Sequence, residues 1–231
     1  DGVEVHACNT AGHIFEPLRA RCAIITVPVG VLQAPENARG AITFDPPLRE
    51  KADALSRLAM GSVVKVVLRF REPVWERAPG LLEAAKQERG SIKFVLADGP
   101  VPTWWTMSPL VAPVLVAWAG GSYARRLREA SPDLLPTIVA SLAGALGLAE
   151  TEVAPLVDAV RHHDWDADPF ARGAYSFGRP GARGASEVLA QPIGRTLYFA
   201  GEATAGEGDT ATVNAALESG WRAGKAVVGD R

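Results

Sequence analysis

The sequence predicts a mixed α/β (α+β) fold, because stretches with the period of a strand alternate along the chain with stretches with the period of a helix. Residues 23–28, AIITVP, form a continuous apolar and β-branched run, which is typical of a buried strand. Residues 63–70, VVKVVLRF, alternate with a period of two. Residues 132–147, PDLLPTIVASLAGALG, repeat leucine and isoleucine at steps of four, which predicts an amphipathic helix that the final glycine ends.

The remaining stretches are assigned by the same patterns. Residues 44–61, FDPPLREKADALSRLAMG, predict a helix that opens after two prolines and continues to Gly61. Prolines interrupt residues 72–112, which predicts several short strands joined by loops. Residues 157–165, VDAVRHHDW, are expected to be extended.

Composition limits the class of protein. The chain has 231 residues, of which 48% are hydrophobic and 22% charged, with a formal net charge of −2. Such a balance is typical of a globular protein and predicts neither nucleic-acid nor membrane binding. No apolar run approaches the roughly 20 residues of a membrane span, and no signal peptide is visible. The two cysteines, Cys8 and Cys22, do not form a disulfide framework, so we expect a reducing, cytoplasmic location.

The closing block, residues 195–224, RTLYFAGEATAGEGDTATVNAALESGWRAG, has the pattern of a strand, an acidic turn, a glycine-bearing loop and a helix. The helix is predicted to begin near Asp209 or Thr210 and to turn Val213, Leu217 and Gly220 inward. The N-terminus of such a helix suits a phosphate or an electron-rich ligand edge. By itself, however, the block is better explained as a capped helix that packs on a sheet.

Four stretches in order resemble the second half of the flavin-containing amine oxidases. They are ITVPVGVL with ITFDPPLREK (25–32, 42–51), LAMGSVVKVVLRF (58–70), WDADPFARGAYSF (165–177) and LYFAGEATAGEGDTATVNAALESG (197–220). That family includes monoamine oxidases, polyamine oxidases, lysine-specific histone demethylases and L-amino-acid oxidases.

The resemblance implies the C-terminal part of an FAD/NAD(P)-binding Rossmann-like domain, with an inserted substrate domain of mixed β-sheet flanked by helices. Residues 1–32 and 163–231 would form the partial, discontinuous FAD-binding domain, and residues 33–162 the substrate-binding domain. The glycine-rich dinucleotide fingerprint G-x-G-x-x-G is not found in these 231 residues. The missing N-terminal part of the FAD domain is therefore an expected partner.

Two catalytic residues follow from the resemblance. Lys65 corresponds to the lysine that reaches the flavin ring through a water and is linked to oxidation of the reduced flavin. An ammonium between valines is costly to desolvate without a partner, although a lysine at a strand edge can reach water. Tyr175 corresponds to one wall of an aromatic slot that guides the amine, while Trp165 and Phe170 would lie along the flavin.

The resemblance also implies the cofactor contacts. Glu202 is predicted to accept a hydrogen bond from a ribityl hydroxyl, because a carboxylate directly beside a phosphate would need a proton or water between them. The Gly201 backbone would approach the cofactor closely, and the N–H groups around Thr212 and Val213 would face the pyrimidine edge of the flavin.

Two further positions concern how the cofactor is held. Val27 and Pro28 are expected to line it through backbone contacts. Ala174 stands where monoamine oxidases carry the cysteine that binds flavin covalently, so FAD is expected to be noncovalent. Thr212 stands where monoamine oxidases have their second slot tyrosine, so a cage of two tyrosines is not expected.

No metal site is predicted. His162 and His163 precede Asp164, but neighbouring residues of a strand point to opposite faces, so the two imidazoles do not converge on one ion. We assign them no catalytic role.

The function implied by the resemblance is that of an FAD-dependent amine oxidase, which oxidises a small-molecule amine to an imine by hydride transfer to flavin while O2 is reduced to H2O2. One alternative is an L-amino-acid oxidase of the same family. Another is a truncated, noncatalytic module that does not hold FAD by itself. The substrate and the oligomeric state stay open.

Overall fold

The structure, a computed structural model, describes residues 2–78, 80, 92–130, 133–206 and 208–229. The described strands are β1 (Val3–Val5), β2 (Leu18–Ala20), β3 (Ala23–Ile25), β4 (Leu58–Gly61), β5 (Val63–Phe70), β6 (Phe94–Leu96), β7 (Thr103–Thr106), β8 (Val114–Gly120), β9 (Val157–His162), β10 (Tyr175–Gly178) and β11 (Leu197–Phe199). The described α-helices are α1 (Val29–Leu32), α2 (Arg49–Arg57), α3 (Ser122–Ala130), α4 (Leu135–Leu146), α5 (Glu150–Val153), α6 (Ala185–Ala190) and α7 (Val213–Gly229). Short 3₁₀ turns span Val74–Arg77, Ala154–Leu156 and Glu202–Thr204.

The chain divides into two compact units, and the first comprises Asp1–Gly61 and Ala167–Arg231. In this unit β1 pairs with β2 and β4 with β10, both antiparallel, while β3 and β11 form a parallel pair. Its larger core cluster joins α1, α2, α6 and β11 through buried residues such as Ala54, Leu189 and Phe199. The helix α7 lies against β11 in a second, smaller cluster.

The second unit, Ser62–Asp166, is built on one antiparallel sheet with the strand order β6-β7-β8-β5-β9. The period of two in β5 is confirmed, since Val64, Val66 and Leu68 are all buried in the core of this unit. The helices α3 and α4 contribute residues such as Ile138 to the same core. The predicted stop at Gly147 is also confirmed, since this residue ends α4 in the left-handed conformation.

The predicted helix of residues 44–61 begins after the two prolines, as expected, but it does not continue to Gly61. Helix α2 spans only Arg49–Arg57, and Leu58–Gly61 forms the strand β4. This strand pairs antiparallel with β10, Gly61 standing opposite Tyr175. The helical spacing of leucines continues into Leu58–Gly61, but the backbone of this segment pairs with β10, more than 100 residues away. Local periodicity contains no information about such a distant pairing partner.

The unit boundaries also differ from the predicted domain boundaries. The prediction divided the chain after residues 32 and 162, whereas the compact units divide after Gly61 and Asp166. Residues 33–61 belong to the first unit because α2 packs against α6 and β4 pairs with β10. Which unit holds a cofactor and which holds a substrate stays a prediction.

Helix α7 turns inward a different face from the predicted one. Val213 and Leu217, expected inside together with Gly220, are 76% and 61% exposed. The buried residues of α7 are Ala215, Ser219 and Ala223. Because α7 carries an apolar stripe on each of two faces, its periodicity alone did not decide which one faces β11.

The most deeply buried charged side chain among the described residues is Lys51 of α2, which is 2% exposed. Its Nζ donates hydrogen bonds to the carbonyl oxygens of Val188 and Gln191, at 2.7 and 2.5 Å, and lies 4.9 Å from the centroid of the Phe199 ring. The ammonium therefore sits at the carbonyl end of α6, where the helix favours a positive charge. Burial lowers the pKa of Lys51, and nearby Glu50 partly opposes that effect.

Substituting Lys51→Met is expected to lower the free energy of unfolding by about 1–3 kcal/mol, because two carbonyls lose a donor while removal of a buried charge offsets part of the loss. Urea unfolding measures this, and Lys93→Met, at an exposed lysine, serves as the control. Because the folded chain binds the Lys51 proton less tightly than the unfolded chain, wild-type stability relative to Lys51→Met should rise with pH between the lowered folded pKa and 10.5. A difference that stays constant over that range would contradict the assignment.

Candidate functional site

In the first unit the carboxyl ends of the two parallel strands meet at one edge. Residues Ala23–Ile25 of β3 pair in register with Leu197–Phe199 of β11, and the Ala200 N–H extends the ladder by donating to the Ile25 carbonyl at 2.9 Å. Val27 and Pro28 follow β3, and Gly201 follows β11. In α/β proteins ligands bind at this end of parallel strands. Glu202 follows Gly201 in the chain. Four predicted cofactor residues, namely Val27, Pro28, Gly201 and Glu202, therefore lie at one edge.

Gly201 has backbone angles that only glycine adopts readily, with φ 114° and ψ 163°. Its N–H donates to the Ser219 hydroxyl at 2.9 Å, and its carbonyl accepts the Thr204 hydroxyl at 2.9 Å. A Cβ added here would meet only the Thr26 carbonyl oxygen, at 3.7 Å. Glycine is therefore required by the backbone conformation rather than by crowding, and one side of this peptide stays open to close approach.

The carboxylate of Glu202 joins three segments of the first unit. Oε1 accepts the Ser176 N–H at 2.9 Å, and Oε2 accepts both the Ser176 hydroxyl at 2.8 Å and the Ala211 N–H at 2.7 Å. A carboxylate offers about four lone-pair sites, so about one is left for a further donor. That fits one hydroxyl group of a ligand and disfavours a phosphate.

The N-terminus of α7 lies next to this carboxylate. Thr212 caps the helix, since its hydroxyl accepts the Ala215 N–H at 3.1 Å, so the predicted start near Asp209 or Thr210 is wrong by about three residues. The N–H of Val213, in the first turn, has no carbonyl partner within the helix. Ala211, just before the cap, has φ 65°, a conformation that costs a non-glycine residue about 1 kcal/mol or more and often marks a functional site.

The strand β10 carries the predicted slot tyrosine. Tyr175 is 36% exposed and stands opposite Gly61, whereas the next residue, Ser176, is 1% exposed and faces Glu202. The loop before β10 contains Arg172 at φ 56°, whose guanidinium donates to the Arg39 carbonyl at 2.6 Å. These contacts fix the loop that precedes β10 and thereby help to position Tyr175 at the start of that strand.

Phe170 lies in the same loop and is 57% exposed. Its N–H donates to the Asp168 carboxylate at 2.8 Å, which orders the turn. Gly40 packs against this turn, since a Cβ there would come within 2.6 Å of the Pro169 carbonyl oxygen. The exposed ring is available to a ligand, but its predicted contact with flavin stays a prediction.

Lys65 and Trp165 belong to the second unit. Lys65 lies on the exposed side of β5, directly opposite Trp118 of β8, and its Nζ is 5.9 Å from the centroid of the Trp105 ring. The lysine therefore has an aromatic partner on a partly apolar face. Trp165 is 44% exposed and packs edge to face on His163, with 4.4 Å between ring centroids.

Asp164 and Asp166, which lie close to His162 and His163 in the chain, form ion pairs with Arg128. Arg128 lies 2.5 Å from one Asp164 oxygen and 2.8 Å from the other, and 3.7 Å from Asp166. The Ser62 hydroxyl donates to Asp166 at 2.5 Å. Burial lowers the pKa of His162, and Asp164 partly opposes this. The cluster is an ion-pair network, and no group of three or more His, Cys, Asp or Glu in the described ranges is placed to hold a metal.

Sequence reasoning missed the residues that fix the edge in place. Ser176 and Ser219 hold Glu202 and Gly201, and Arg222 donates to the Phe199 carbonyl at 3.0 Å and to the Thr204 hydroxyl at 2.9 Å. Burial lowers the pKa of Arg222. Nothing in the local sequence distinguishes these side chains from ordinary polar positions, because their partners are distant in the chain.

The edge in the first unit combines three kinds of group that can bind a ligand. It offers a glycine peptide open to close approach, a carboxylate with about one vacant acceptor site, and first-turn N–H groups of α7.

No single helix among the described residues is long and apolar enough to cross a membrane. The segments Leu135–Leu146 and Glu150–Leu156 have together the length and apolar composition of a membrane span, but the chain bends by 106° at the break between them.

Similar solved structures share this fold. A putrescine oxidase variant superimposes with a TM-score of 0.71 at 22% identity, covering 93% of this chain and 44% of the other. Wild-type putrescine oxidase bound to putrescine gives 0.70 at 23% identity, with 92% and 44% coverage.

Three curated relatives are much longer than the region that they share with this chain. A histone demethylase-like protein A of Aspergillus fumigatus is 32% identical over 89% of this chain and 19% of its own length. The lysine-specific histone demethylase 1 homolog 2 of Arabidopsis thaliana is 32% identical over 96% of this chain and 28% of its own. Human peroxisomal N(1)-acetyl-spermine/spermidine oxidase is 28% identical, with 88% and 42% coverage. The chain thus spans less than half the length of these relatives.

Nearly the whole chain also matches one family profile. Residues 1–228 match the profile of the flavin containing amine oxidoreductases. The match includes the edge around Gly201 and Glu202, the strand of Lys65 and the strand of Tyr175. The chain therefore belongs to the flavin-containing amine oxidoreductase family.

Proposed function

We propose that this chain is the C-terminal portion of an FAD-dependent amine oxidase that converts an amine to an imine and reduces O2 to H2O2. The observation that carries the proposal is the edge in the first unit, where Gly201, Glu202 and the N-terminus of α7 offer the acceptor and donors that suit the flavin and ribityl part of FAD. Family membership supplies the class of cofactor and of reaction.

Bound FAD would supply the acceptor for the hydride of the amine and the route of electrons to oxygen. The residues of this chain bind and orient it. Glu202 holds Ser176 and Ala211 while keeping about one acceptor site for a ribityl hydroxyl, and the Val213 N–H points from the start of α7. Ala174 offers no thiol, so the cofactor would be noncovalent.

The two catalytic residues have distinct tasks. Tyr175 presents its ring beside Gly61 and would form one wall that positions the amine. Lys65 carries an ammonium on the exposed side of β5. By the family resemblance, this ammonium would hold a water or donate a proton at the flavin ring. Neither task needs a second slot tyrosine, and Thr212 is occupied with capping α7.

The substrate class is proposed as a small amine or polyamine. One relative is a spermine/spermidine oxidase, and a similar structure holds putrescine, although other relatives are histone demethylases. An L-amino-acid oxidase is the alternative, and it would need an arginine to pair with the substrate carboxylate.

The proposal is tested in two steps. The 231-residue chain alone should be nearly colourless after purification and should leave flavin fluorescence unquenched, whereas the complete polypeptide encoded by its gene should be yellow. The complete protein should then release peroxide with putrescine, spermidine or acetylated spermine and not with L-amino acids. Peroxide release from amino acids alone would establish the alternative, and a colourless complete protein would overturn the cofactor assignment.

A further inference from the structure

Arg128, near the end of α3, has a side chain that is 25% exposed and lies beside two acids of the turn that follows β9. Its guanidinium pairs with both oxygens of Asp164, at 2.5 and 2.8 Å, and lies 3.7 Å from Asp166. A pair with two contacts fixes the orientation of the carboxylate as well as its distance. Arg128 is not among the catalytic and cofactor residues that the family resemblance implies.

The residue between the two acids is Trp165, which the resemblance places along the flavin. The Asp166 N–H donates to Asp164 Oδ1 at 3.1 Å, and this hydrogen bond closes a turn around the backbone of Trp165. Arg128 pairs with that same oxygen. The geometry of the turn that carries the indole therefore depends on the guanidinium.

The other end of the turn is attached to the start of β5. The Ser62 hydroxyl donates to Asp166 at 2.5 Å. The Ser62 carbonyl accepts the N–H of Gly121, just before α3, at 2.9 Å. One set of contacts within the second unit thus joins the helix, the turn and the strand that carries Lys65. Without the guanidinium, the turn would keep only its attachment through Ser62.

The ring of Trp165 is not held in place by burial. It is 44% exposed and packs edge to face on His163, which is itself exposed, with 4.4 Å between the ring centroids. A side chain with few buried contacts takes its position from the backbone that carries it. The orientation of this indole is therefore set mainly by the turn.

We propose that Arg128 is a positioning residue, which acts through Asp164 and Asp166 to hold Trp165 in the orientation that meets the flavin. The flavin contact of Trp165 rests on the proposed function, whereas the link between Arg128 and Trp165 rests on contacts within the second unit. Lysine would replace this arginine only in part, because a single ammonium does not hold both oxygens of a carboxylate in a fixed plane.

Fluorine NMR of the chain labelled with 5-fluorotryptophan tests the link without flavin. The chain contains six tryptophans, and Trp165→Phe identifies the Trp165 resonance by its disappearance. Arg128→Met should shift this resonance and leave the others in place, which also shows that the variant is folded. Arg128→Lys should shift the same resonance less. Arg125→Met, at an exposed arginine of the same helix, is the matched control and should shift none of them.

A double-mutant cycle on FAD binding tests whether Arg128 acts through Trp165. In the complete protein, Arg128→Met should raise the FAD dissociation constant about three- to tenfold, which is the scale of one aromatic contact. In a Trp165→Ala background the same substitution should raise it by no more than about twofold, because the contact that Arg128 organises is already absent. Titration of FAD, followed by quenching of flavin fluorescence, measures all four dissociation constants.

Two results would overturn the proposal. One is a Trp165 resonance that does not move in Arg128→Met. The other is an equal loss of FAD affinity in the wild-type and Trp165→Ala backgrounds, which would show that Arg128 supports the fold in general. A complete protein that binds no FAD, with a Trp165 resonance that still moves, would remove the proposed function together with the flavin contact and keep the link between Arg128 and Trp165.

Discussion

Replacing Lys65 by methionine is expected to slow reoxidation of the reduced flavin by O2 about a hundredfold or more in the complete, FAD-loaded enzyme, which is the usual scale for loss of a positioned proton donor. Lys65 stands on the exposed side of β5 with its Nζ 5.9 Å from the Trp105 ring, and methionine keeps the length of the stem while it removes the charge. Stopped-flow absorbance after mixing reduced enzyme with oxygen measures the rate.

The same experiment separates this role from a structural one. If Lys65 served only as a cation beside Trp105, its loss would weaken the sheet slightly and leave the oxygen reaction unchanged. Anaerobic reduction by the amine should change little, as should retention of FAD. Lys93→Met, at an exposed lysine of the same unit, should leave every rate unchanged. Unaltered reoxidation in Lys65→Met would remove Lys65 from the catalytic residues.

Replacing Glu202 by glutamine is expected to lower the free energy of unfolding of the 231-residue chain by roughly 2–4 kcal/mol, because three hydrogen bonds to a charged acceptor are weakened. The carboxylate accepts from the Ser176 N–H, the Ser176 hydroxyl and the Ala211 N–H. A glutamine presents an NH2 group to at least one of these donors, so one donor is left unsatisfied. Urea unfolding measures the change.

The same variant should weaken FAD binding in the complete protein. Loss of the bond to the Ala211 N–H releases a residue held at φ 65° just before the cap of α7, so the first-turn N–H groups move. Glu187→Gln, at an exposed acid of α6, should change neither quantity. An unchanged unfolding midpoint with an unchanged FAD dissociation constant would show that Glu202 is an ordinary surface acid.

The elements of this edge could be predicted because they are close together in the chain, whereas the roles of Gly201 and Glu202 came from the family resemblance. The strand before Gly201, the glycine itself and the acid that follows lie within six residues, and the helix after them has a recognisable amphipathic pattern. The strand of Lys65 was equally readable, since its period of two persists over eight residues. Short-range patterns of this kind identify elements without knowledge of their partners.

The predicted helix of residues 44–61 shows where prediction from short-range patterns fails. Its last four residues are a strand only because β10 pairs with them from more than 100 residues away. The same holds for Lys51, which reads as an ordinary helical lysine and is buried because the carbonyl end of α6 lies over it.

The sequence by itself determined the class of fold, most of the helices and strands, and the resemblance to a family. Periodicity and motifs depend only on residues that are close together in the chain. The tertiary structure alone decided that Glu202 is tied to Ser176 and Ala211, that residues 33–61 pack with the C-terminal stretch, and that α7 turns its small side chains inward. Each of these depends on contacts between distant segments. Which apolar face of a helix is buried depends on the segment that packs against it. Likewise, which acceptor a buried donor uses depends on the distant segments that fold beside it.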